Sequence, residues 1–271
     1  MSQSNSVRKP VIDWLTVVGI AALAISFTVL FHEGVHALTC LAVGGDLHGA
    51  ALYASCEGTT GLQENMVLIS GPIYNLLAGL LAWRLFRSSL DRSSEFQFFL
   101  WLFMLMNWFY FAGYLVFSGL TNIGDWSMVI ADWQPVWLWR ILLTLVGVLL
   151  FVFFVRQGLI EFGKVACKRA DAHFECVNRL CLLSYFTSFL VILFAGFFCP
   201  WGLTSFPVTA ALFAVLVALS PFLLMMRWFR TDRFEKLADE PLEIHRKWSW
   251  ILTSLAVVFI YVFVVGRTIL S

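Results

Sequence analysis

The chain has 271 residues, of which 60% are hydrophobic and 13% charged, and its formal net charge is +1. With 27 Phe, 12 Trp and a mean hydropathy of +0.83, a monomer of this composition cannot stay soluble, which excludes an ordinary water-soluble globular protein. Because the charge is near neutral and the basic residues are scattered, we expect no nucleic-acid partner, and the environment we expect is a lipid bilayer.

Hydropathy predicts an all-α, polytopic bundle of about seven transmembrane spans, each of roughly 20 residues. We place the spans at 11–41, 66–86, 97–118, 136–156, 179–199, 206–226 and 249–268. Residues 1–135 then hold three spans and residues 136–271 hold four more, and no water-soluble domain of useful size remains.

The first span carries the motif H-E-x-x-H, formed by His32, Glu33 and His36, and its only other ionisable side chain is Asp13. Ionisable groups at membrane depth are costly, so their presence there indicates a functional site. On a helix, positions i and i+4 lie on one face, where two imidazoles can reach a single ion about 2.0–2.1 Å from each nitrogen.

Glu33 lies on the same side of that helix and is placed to accept a proton from an attacking water molecule. The motif therefore predicts a zinc hydrolase within the bilayer. The alternative is a pair of histidines that only make hydrogen bonds within a helix bundle, although a glutamate between them adds to the cost of burial.

A catalytic zinc ion takes three protein ligands and keeps one open position. The first and third spans run in the same direction, so Asp125, after the third span, is expected at the depth of the histidines, and Asn75, early in the second span, in the same layer. Asp125 is our predicted third ligand, the alternative being an ordinary aspartate at the start of a loop. Asp132, Glu57 and His48 are weaker candidates because they lie in connections.

The loop after the first span, residues 44–61, begins with two glycines that end the helix. Its segment 47–54 mixes small and apolar residues and is expected to form either a short strand that returns into the membrane or a plain re-entrant loop. Cys40 and Cys56 flank this loop and can form a disulfide if that side of the membrane is oxidising.

The positions of the basic residues predict an orientation, because cytoplasmic connections are rich in Lys and Arg. Of the 18 Lys and Arg residues, only Arg140 and Arg267 fall on the side opposite to the rest. The N-terminus is then cytoplasmic, and the C-terminus and the opening of the site are on the non-cytoplasmic side. The residues on the cytoplasmic side are Arg8, Lys9, Arg84, Arg87, Arg92, Arg156, Lys164, Lys168, Arg169, Arg179, Arg227, Arg230, Arg233, Lys236, Arg246 and Lys247.

Four ordered signatures in about the first 130 residues resemble those of the site-2-protease-like intramembrane zinc metalloproteases. They are His32-Glu33-Gly34-Val35-His36-Ala37-Leu38, Gly44-Gly45, Gly71-Pro72-Ile73-Tyr74-Asn75 and Asn122-Ile123-Gly124-Asp125. The resemblance implies that residues 1–135 form a metalloprotease-like catalytic core and residues 136–271 an additional four-span membrane region.

The same resemblance implies roles for individual residues. His32, His36 and Asp125 would be the ligands of one Zn²⁺ ion, Glu33 the general base, and Asn75 a catalytic polar group near the substrate or the oxyanion. The reaction implied is hydrolysis of peptide bonds in membrane-embedded or membrane-proximal polypeptides.

The resemblance also bears on substrate access and sidedness. A strand in the loop after the first span would offer its edge to an extended substrate. Members of the family usually hold zinc towards the cytosolic leaflet, whereas the basic residues here direct the H-E-x-x-H helix outward, so the two indications differ. The alternative function is a non-proteolytic membrane protein that binds zinc or transports an ion.

Overall fold

The computed structural model describes residues 11–50, 52–89, 92–163, 170–228 and 242–265. The elements in chain order are α1 (Trp14–Ala42), β1 (Asp46–Ala50), β2 (Tyr53–Glu57), α2 (Leu62–Ser88), α3 (Ser94–Thr121), α4 (Asp125–Val129), α5 (Val136–Gly163), α6 (Ala170–Phe197), α7 (Phe206–Leu219), α8 (Pro221–Trp228) and α9 (Trp248–Phe259), which continues into a π-helical segment (Ile260–Val265).

Among the described residues, seven helical segments are long and apolar enough to cross a membrane, which confirms the predicted all-α polytopic bundle. The fifth helix, α5, runs to Gly163 and is longer than the predicted span 136–156. The sixth predicted span is divided into α7 and α8 at Ser220. Pro221 follows this break, and because proline lacks a backbone N–H it favours the first turn of a new helix.

The third helix, α3, forms the centre of the bundle. In its most apolar window 78% of the residues are buried, against 17% in α5, whose outer face is left for lipid. Trp108 of α3 stacks on Phe154 of α5 with 4.8 Å between ring centroids. Trp101 donates a hydrogen bond of 2.9 Å to the carbonyl of Gly158. Both tryptophans bury a large apolar area, and the N–H of Trp101 is also hydrogen-bonded, so the pair fixes α5 against α3.

The two predicted regions of the chain pack against each other. Helix α3 contacts α5 and α7, and α1 contacts α6 and α9, so helices from residues 136–271 pack against two of the first three spans. The division of the chain at residue 135 therefore stays a prediction about function.

The start of α1 is held by polar contacts of Asp13. Asp13 caps the helix by accepting hydrogen bonds from the backbone N–H and the hydroxyl of Thr16, each at 2.9 Å. Arg246, which precedes α9, donates to the same carboxylate at 3.0 Å. An N-cap of this kind satisfies backbone donors that the first turn leaves open, so it defines where α1 begins.

The loop after α1 is an antiparallel hairpin of two strands, in the place of the single strand or plain loop that the sequence predicted. Asp46 pairs with Glu57 and Gly49 with Ala54. Cys40, in the last turn of α1, forms a disulfide with Cys56 of β2, which joins the pair that the sequence suggested. The disulfide fixes the hairpin directly beside the end of the helix that carries His32 and His36.

A buried polar cluster, here called the Glu161 cluster, joins α2 to α5. Glu161 is fully buried, and its Oε1 accepts hydrogen bonds from Trp83 at 2.8 Å, Arg87 at 3.1 Å and Gln157 at 2.9 Å. The guanidinium of Arg87 also lies 4.7 Å from the ring centre of Trp83. Three donors therefore compensate one buried carboxylate.

Candidate metal centre

The two histidines of the motif lie side by side on α1, close to its C-terminal end. Both are buried, with 1% of His32 and 4% of His36 exposed. Their Nε2 atoms are 3.2 Å apart and their rings are nearly perpendicular. One face of the helix thus presents two imidazole nitrogens to the same point, as the spacing i, i+4 predicted.

The opposite nitrogen of each ring has its own hydrogen-bond partner. His32 Nδ1 donates to Oδ1 of Asn75, and His36 Nδ1 donates to the carbonyl oxygen of Val67 at 2.7 Å. A carbonyl oxygen can only accept, so Nδ1 of His36 carries a proton, and in the neutral imidazole Nε2 then keeps the lone pair. A partner on the far nitrogen is how proteins orient an imidazole that binds a metal.

The turn after α3 brings Asp125 to the histidines. Asn122 ends α3 in the left-handed conformation, with φ of 58°, and Gly124 follows with φ of 93°. These two residue types adopt positive φ most readily, and together they reverse the chain so that Asp125 begins α4. Its Oδ2 lies 3.5 Å from Nε2 of His32 and 3.5 Å from Nε2 of His36.

These three atoms form a triangle with sides of 3.2, 3.5 and 3.5 Å. A tetrahedral ion about 2.0–2.1 Å from each donor separates its ligand atoms by about 3.3–3.4 Å, so the triangle matches one face of such a site. Among the described residues, His32, His36 and Asp125 are the one group of this kind that can hold a metal ion.

The hydrogen bonding of Asp125 also fits a cation. Its Oδ2 is buried and has no hydrogen-bond partner among the residues that the structure describes. A carboxylate oxygen and the Nε2 lone pairs face one another there, an arrangement that is repulsive until a positive charge lies between them. The donor set of two imidazoles and one carboxylate is one that zinc takes in catalytic sites.

Gly71 of α2 makes room for this cluster. A Cβ atom at position 71 would lie 2.3 Å from Nε2 of His36, closer than any side chain tolerates. The next residue is Pro72, and a Gly-Pro pair inside a helix loosens the local backbone ladder. In the same turn, Val67 offers its carbonyl oxygen to His36. The Gly-Pro signature thus forms the wall that receives the second histidine.

A family model described as Peptidase M50B-like matches residues 11–203 of the chain. The chain belongs to this family. The family is that of the site-2 proteases, so the match confirms the resemblance drawn from the four signatures. Neither the curated proteins nor the solved structures compared with the chain gave a match.

Membership places the chain among multi-pass membrane metallopeptidases. The matched residues run past the predicted boundary at residue 135 and include α5 and α6. The family match therefore covers the cluster of His32, His36 and Asp125 together with helices that pack against α1 and α3.

The predicted base, Glu33, faces the hairpin. Its Oε2 accepts a hydrogen bond of 2.9 Å from the backbone N–H of Ala54 in β2. The carboxylate is thus adjacent to the histidine cluster and, at the same time, attached to a strand amide that points away from β1.

Asn75 is fully buried, and both ends of its amide are engaged. Oδ1 accepts from His32, and Nδ2 donates to Oδ1 of Asn107 at 3.0 Å. This arrangement favours the orientation of His32 over the predicted contact with an oxyanion, for which Nδ2 would have to leave Asn107. The catalytic role of Asn75 stays a prediction.

The weaker candidates for the third ligand lie apart from the cluster. His48 and Glu57 face each other across the hairpin at 3.9 Å, with 40% and 74% of their side chains exposed. Asp132 is exposed in the connection before α5. None of them belongs to the group formed by His32, His36 and Asp125.

Two tyrosines of α3 were missed by the sequence analysis. The ring of Tyr114 lies 5.0 Å from the ring of His32 and that of Tyr110 lies 6.4 Å away. The hydroxyl of Tyr110 is buried without a hydrogen-bond partner among the described residues. Their spacing of four residues, which puts both rings on one face of the third span, was the available signal in the sequence. Aromatic residues at this spacing are also common in ordinary helix packing, so the signal was not specific.

Proposed function

We propose that the chain is an intramembrane zinc metalloprotease that hydrolyses peptide bonds of membrane-embedded or membrane-proximal polypeptides. The observation that carries the proposal is the triangle of His32 Nε2, His36 Nε2 and Asp125 Oδ2, whose sides of 3.2 to 3.5 Å suit a tetrahedral ion. The Peptidase M50B-like family supports the type of reaction.

The proposed ligands of one Zn²⁺ ion are His32, His36 and Asp125. What zinc supplies when bound is Lewis acidity, which makes water a nucleophile near neutral pH. The carboxylate of Asp125 adds one negative charge to the two neutral imidazoles, and the partners on the far nitrogens keep both rings directed at the ion.

Glu33 is the proposed general base and then the general acid. Its carboxylate accepts a proton from the attacking water, whose oxygen forms the new bond to the carbonyl carbon. When the C–N bond breaks, Glu33 returns that proton to the departing amine. The hydrogen bond from the Ala54 N–H holds Oε2 and so orients the carboxylate, and Oε1 is the atom proposed to carry the proton.

Strand β2 is the proposed docking edge for the substrate. The N–H of Ala54 points away from β1 towards Glu33, so this edge of the hairpin faces the cluster. An extended substrate that paired with this edge would lie beside the metal ligands with its amides exposed, which a helical substrate cannot achieve.

Two observations support a site that opens on the non-cytoplasmic side. The distribution of basic residues supports a cytoplasmic start of α1, and Arg8, Lys9 and several other basic residues lie outside the described residues. The Cys40–Cys56 disulfide lies at the other end of α1, and disulfides persist in oxidising compartments. Reporter fusions after residues 125 and 165 test this, with the non-cytoplasmic signal expected only at 125.

The decisive experiment separates metal binding from catalysis. We expect about one zinc per purified wild-type molecule, and loss of that zinc in both His36→Ala and Asp125→Asn. Glu33→Gln should keep the zinc but lose cleavage of an apolar fluorogenic peptide in detergent by about 10²-fold or more.

Each possible result has a clear meaning. Zinc that survives in His36→Ala or Asp125→Asn would overturn the proposed ligand set. Cleavage that survives in Glu33→Gln would overturn the protease proposal whatever the metal content. Stoichiometric zinc with cleavage that does not depend on Glu33 would favour the alternative, a non-proteolytic protein that binds zinc or transports an ion.

A further inference from the structure

A continuous line of buried polar side chains leads from the metal centre into the middle of the bundle. It joins His32 and Thr28 of α1 to Asn75 of α2 and Asn107 of α3. Three of these residues are fully buried and His32 is 1% exposed. Polar groups at such depth are costly unless they are paired, so the line must satisfy its own hydrogen bonds.

The direction of the hydrogen bonds is set at the end of the line farthest from the metal centre. Asn107 Nδ2 donates to the carbonyl oxygen of Phe103 at 2.8 Å and to the hydroxyl oxygen of Thr28 at 3.2 Å. Thr28 in turn donates to the carbonyl oxygen of Ala24 at 2.9 Å. Because carbonyl oxygens only accept, the NH₂ group of Asn107 must face them and its Oδ1 must face Asn75.

The same logic continues to the histidine. Asn75 Nδ2 donates to Oδ1 of Asn107 at 3.0 Å, so Oδ1 of Asn75 is the atom that faces His32. An amide oxygen accepts, and therefore Nδ1 of His32 must carry the proton. In a neutral imidazole this leaves the lone pair on Nε2, the atom directed at His36 and Asp125.

We propose that Asn107 and Thr28 are positioning residues that hold His32 in the tautomer required for metal binding. Neither residue touches the cluster, and both act through Asn75. The inference rests on the proposed metal centre but not on proteolysis. This role differs from that of hydrogen bonds that only hold helices together. Such bonds would stabilise the bundle in either direction and would leave the tautomer of His32 unchanged.

The first test reads the tautomer in metal-free protein labelled with ¹⁵N-histidine. With five histidines in the chain, the His32 signals can be assigned by their loss in His32→Asn. We expect His32 to carry its proton on Nδ1 in the wild type and to become a mixture of tautomers in Asn107→Leu. A proton on Nε2 in the wild type, or a folded Asn107→Leu protein with an unchanged tautomer, overturns the proposal.

The second test measures zinc affinity by competition with a chromophoric chelator. We expect Asn107→Leu to weaken binding about 10-fold, at the lower end of the effect of outer-shell partners. Thr28→Val should weaken it about threefold, since one of the two acceptors for Asn107 remains, and Thr28→Ser should restore the wild-type value.

Thr39→Val is the matched control for Thr28→Val. The Thr39 hydroxyl lies on the same helix and makes the same type of bond, 2.8 Å to the carbonyl oxygen of Val35. Equal losses in Thr28→Val and Thr39→Val would overturn the inference. If Asn107→Leu does not fold, the inference is tested by the zinc affinities of Thr28→Val and Thr28→Ser and by the tautomer of His32 in the wild type. Absence of zinc from the wild type would instead refute the proposed function.

Discussion

Two buried polar clusters lie against α2, and they differ in one respect. In the Glu161 cluster, a single carboxylate oxygen receives three donors, from Trp83, Arg87 and Gln157. In the metal centre, Oδ2 of Asp125 receives no hydrogen bond from any described residue, and two imidazole nitrogens face it at 3.5 Å.

The comparison shows that a buried charge in a membrane helix does not by itself mark a reactive site. The Glu161 cluster is electrostatically complete, so its role is to join α2 to α5. The candidate metal centre is incomplete, because its acceptor atoms are turned towards one point and no described residue donates a hydrogen bond to Oδ2 of Asp125. The unsatisfied atoms therefore distinguish a site for a ligand from a structural ion pair.

The largest effect is expected from filling the space beside His36. Gly71→Ala places a methyl group 2.3 Å from Nε2, which forces the imidazole away from the other ligands. We expect zinc affinity to fall more than about 100-fold, as for the loss of a ligand's orientation, while the helix itself is not weakened by alanine. Isothermal titration of the metal-free protein measures this.

Gly34→Ala is the control for this prediction. Gly34 lies inside the H-E-x-x-H motif, and a Cβ atom there meets nothing within 4 Å. Its zinc affinity should match the wild type. An equal loss in both variants would mean that helix α1, and not the space beside His36, limits binding.

Disruption of the Glu161 cluster should lower the stability of the fold and leave zinc affinity unchanged. Glu161→Leu leaves the N–H of the partly buried Trp83 without its acceptor and Arg87 without its counter-ion, and the half-exposed Arg87 can turn to solvent. We expect a loss of about 2 kcal/mol in the free energy of unfolding, with zinc affinity unchanged. Denaturant unfolding in micelles gives the first quantity and chelator competition the second.

The conservative variant Glu161→Gln should lose less stability, because its amide oxygen still accepts hydrogen bonds. Zinc affinity that falls in step with stability across these two variants would contradict the separation of the clusters.

Much of the metal centre could be predicted from the sequence because its parts follow local rules. The spacing of His32 and His36 defines one helix face, and the direction of the spans placed Asp125 at the same depth. The seven spans were predictable for the same reason, since hydropathy reports how much apolar surface a helix can expose to lipid.

The remaining features depend on contacts between helices. The sequence near Gly71 does not indicate that His36 will lie against this residue. The hydrogen bonds that connect Asn107 to His32 through Asn75 form only when three helices are packed together. The hairpin was also predicted incompletely, because segment 47–54 gave the signal for one strand while the second strand is defined by its pairing with the first.

A smaller loss of zinc affinity is expected from a change in the turn that precedes Asp125. Gly124 has φ of 93°, and an added Cβ would lie 3.1 Å from the hydroxyl of Ser118. Gly124→Ala therefore strains the turn by about 1–3 kcal/mol and displaces the carboxylate. We expect a loss of about 10-fold in zinc affinity. Asn122→Gly, which keeps the left-handed conformation, is the control and should bind zinc like the wild type.

The smallest effect is expected at Asp13, where a carboxylate resembles Glu161 in its partners but is partly exposed. Burial would raise its pKa, yet the hydrogen bonds from Thr16 and the charge of Arg246 outweigh that and lower the pKa below its ordinary value of 3.8. A lowered pKa means that the contribution to stability is present above about pH 4 and is lost as the pH falls through the lowered value.

At pH 7 Asp13→Ala should cost about 1 kcal/mol, and Asp13→Ser, which keeps an N-cap, should cost less. The difference between wild type and Asp13→Ala should shrink on acidification, and a difference that grows at low pH would show that Asp13 stabilises α1 by some means other than its charge.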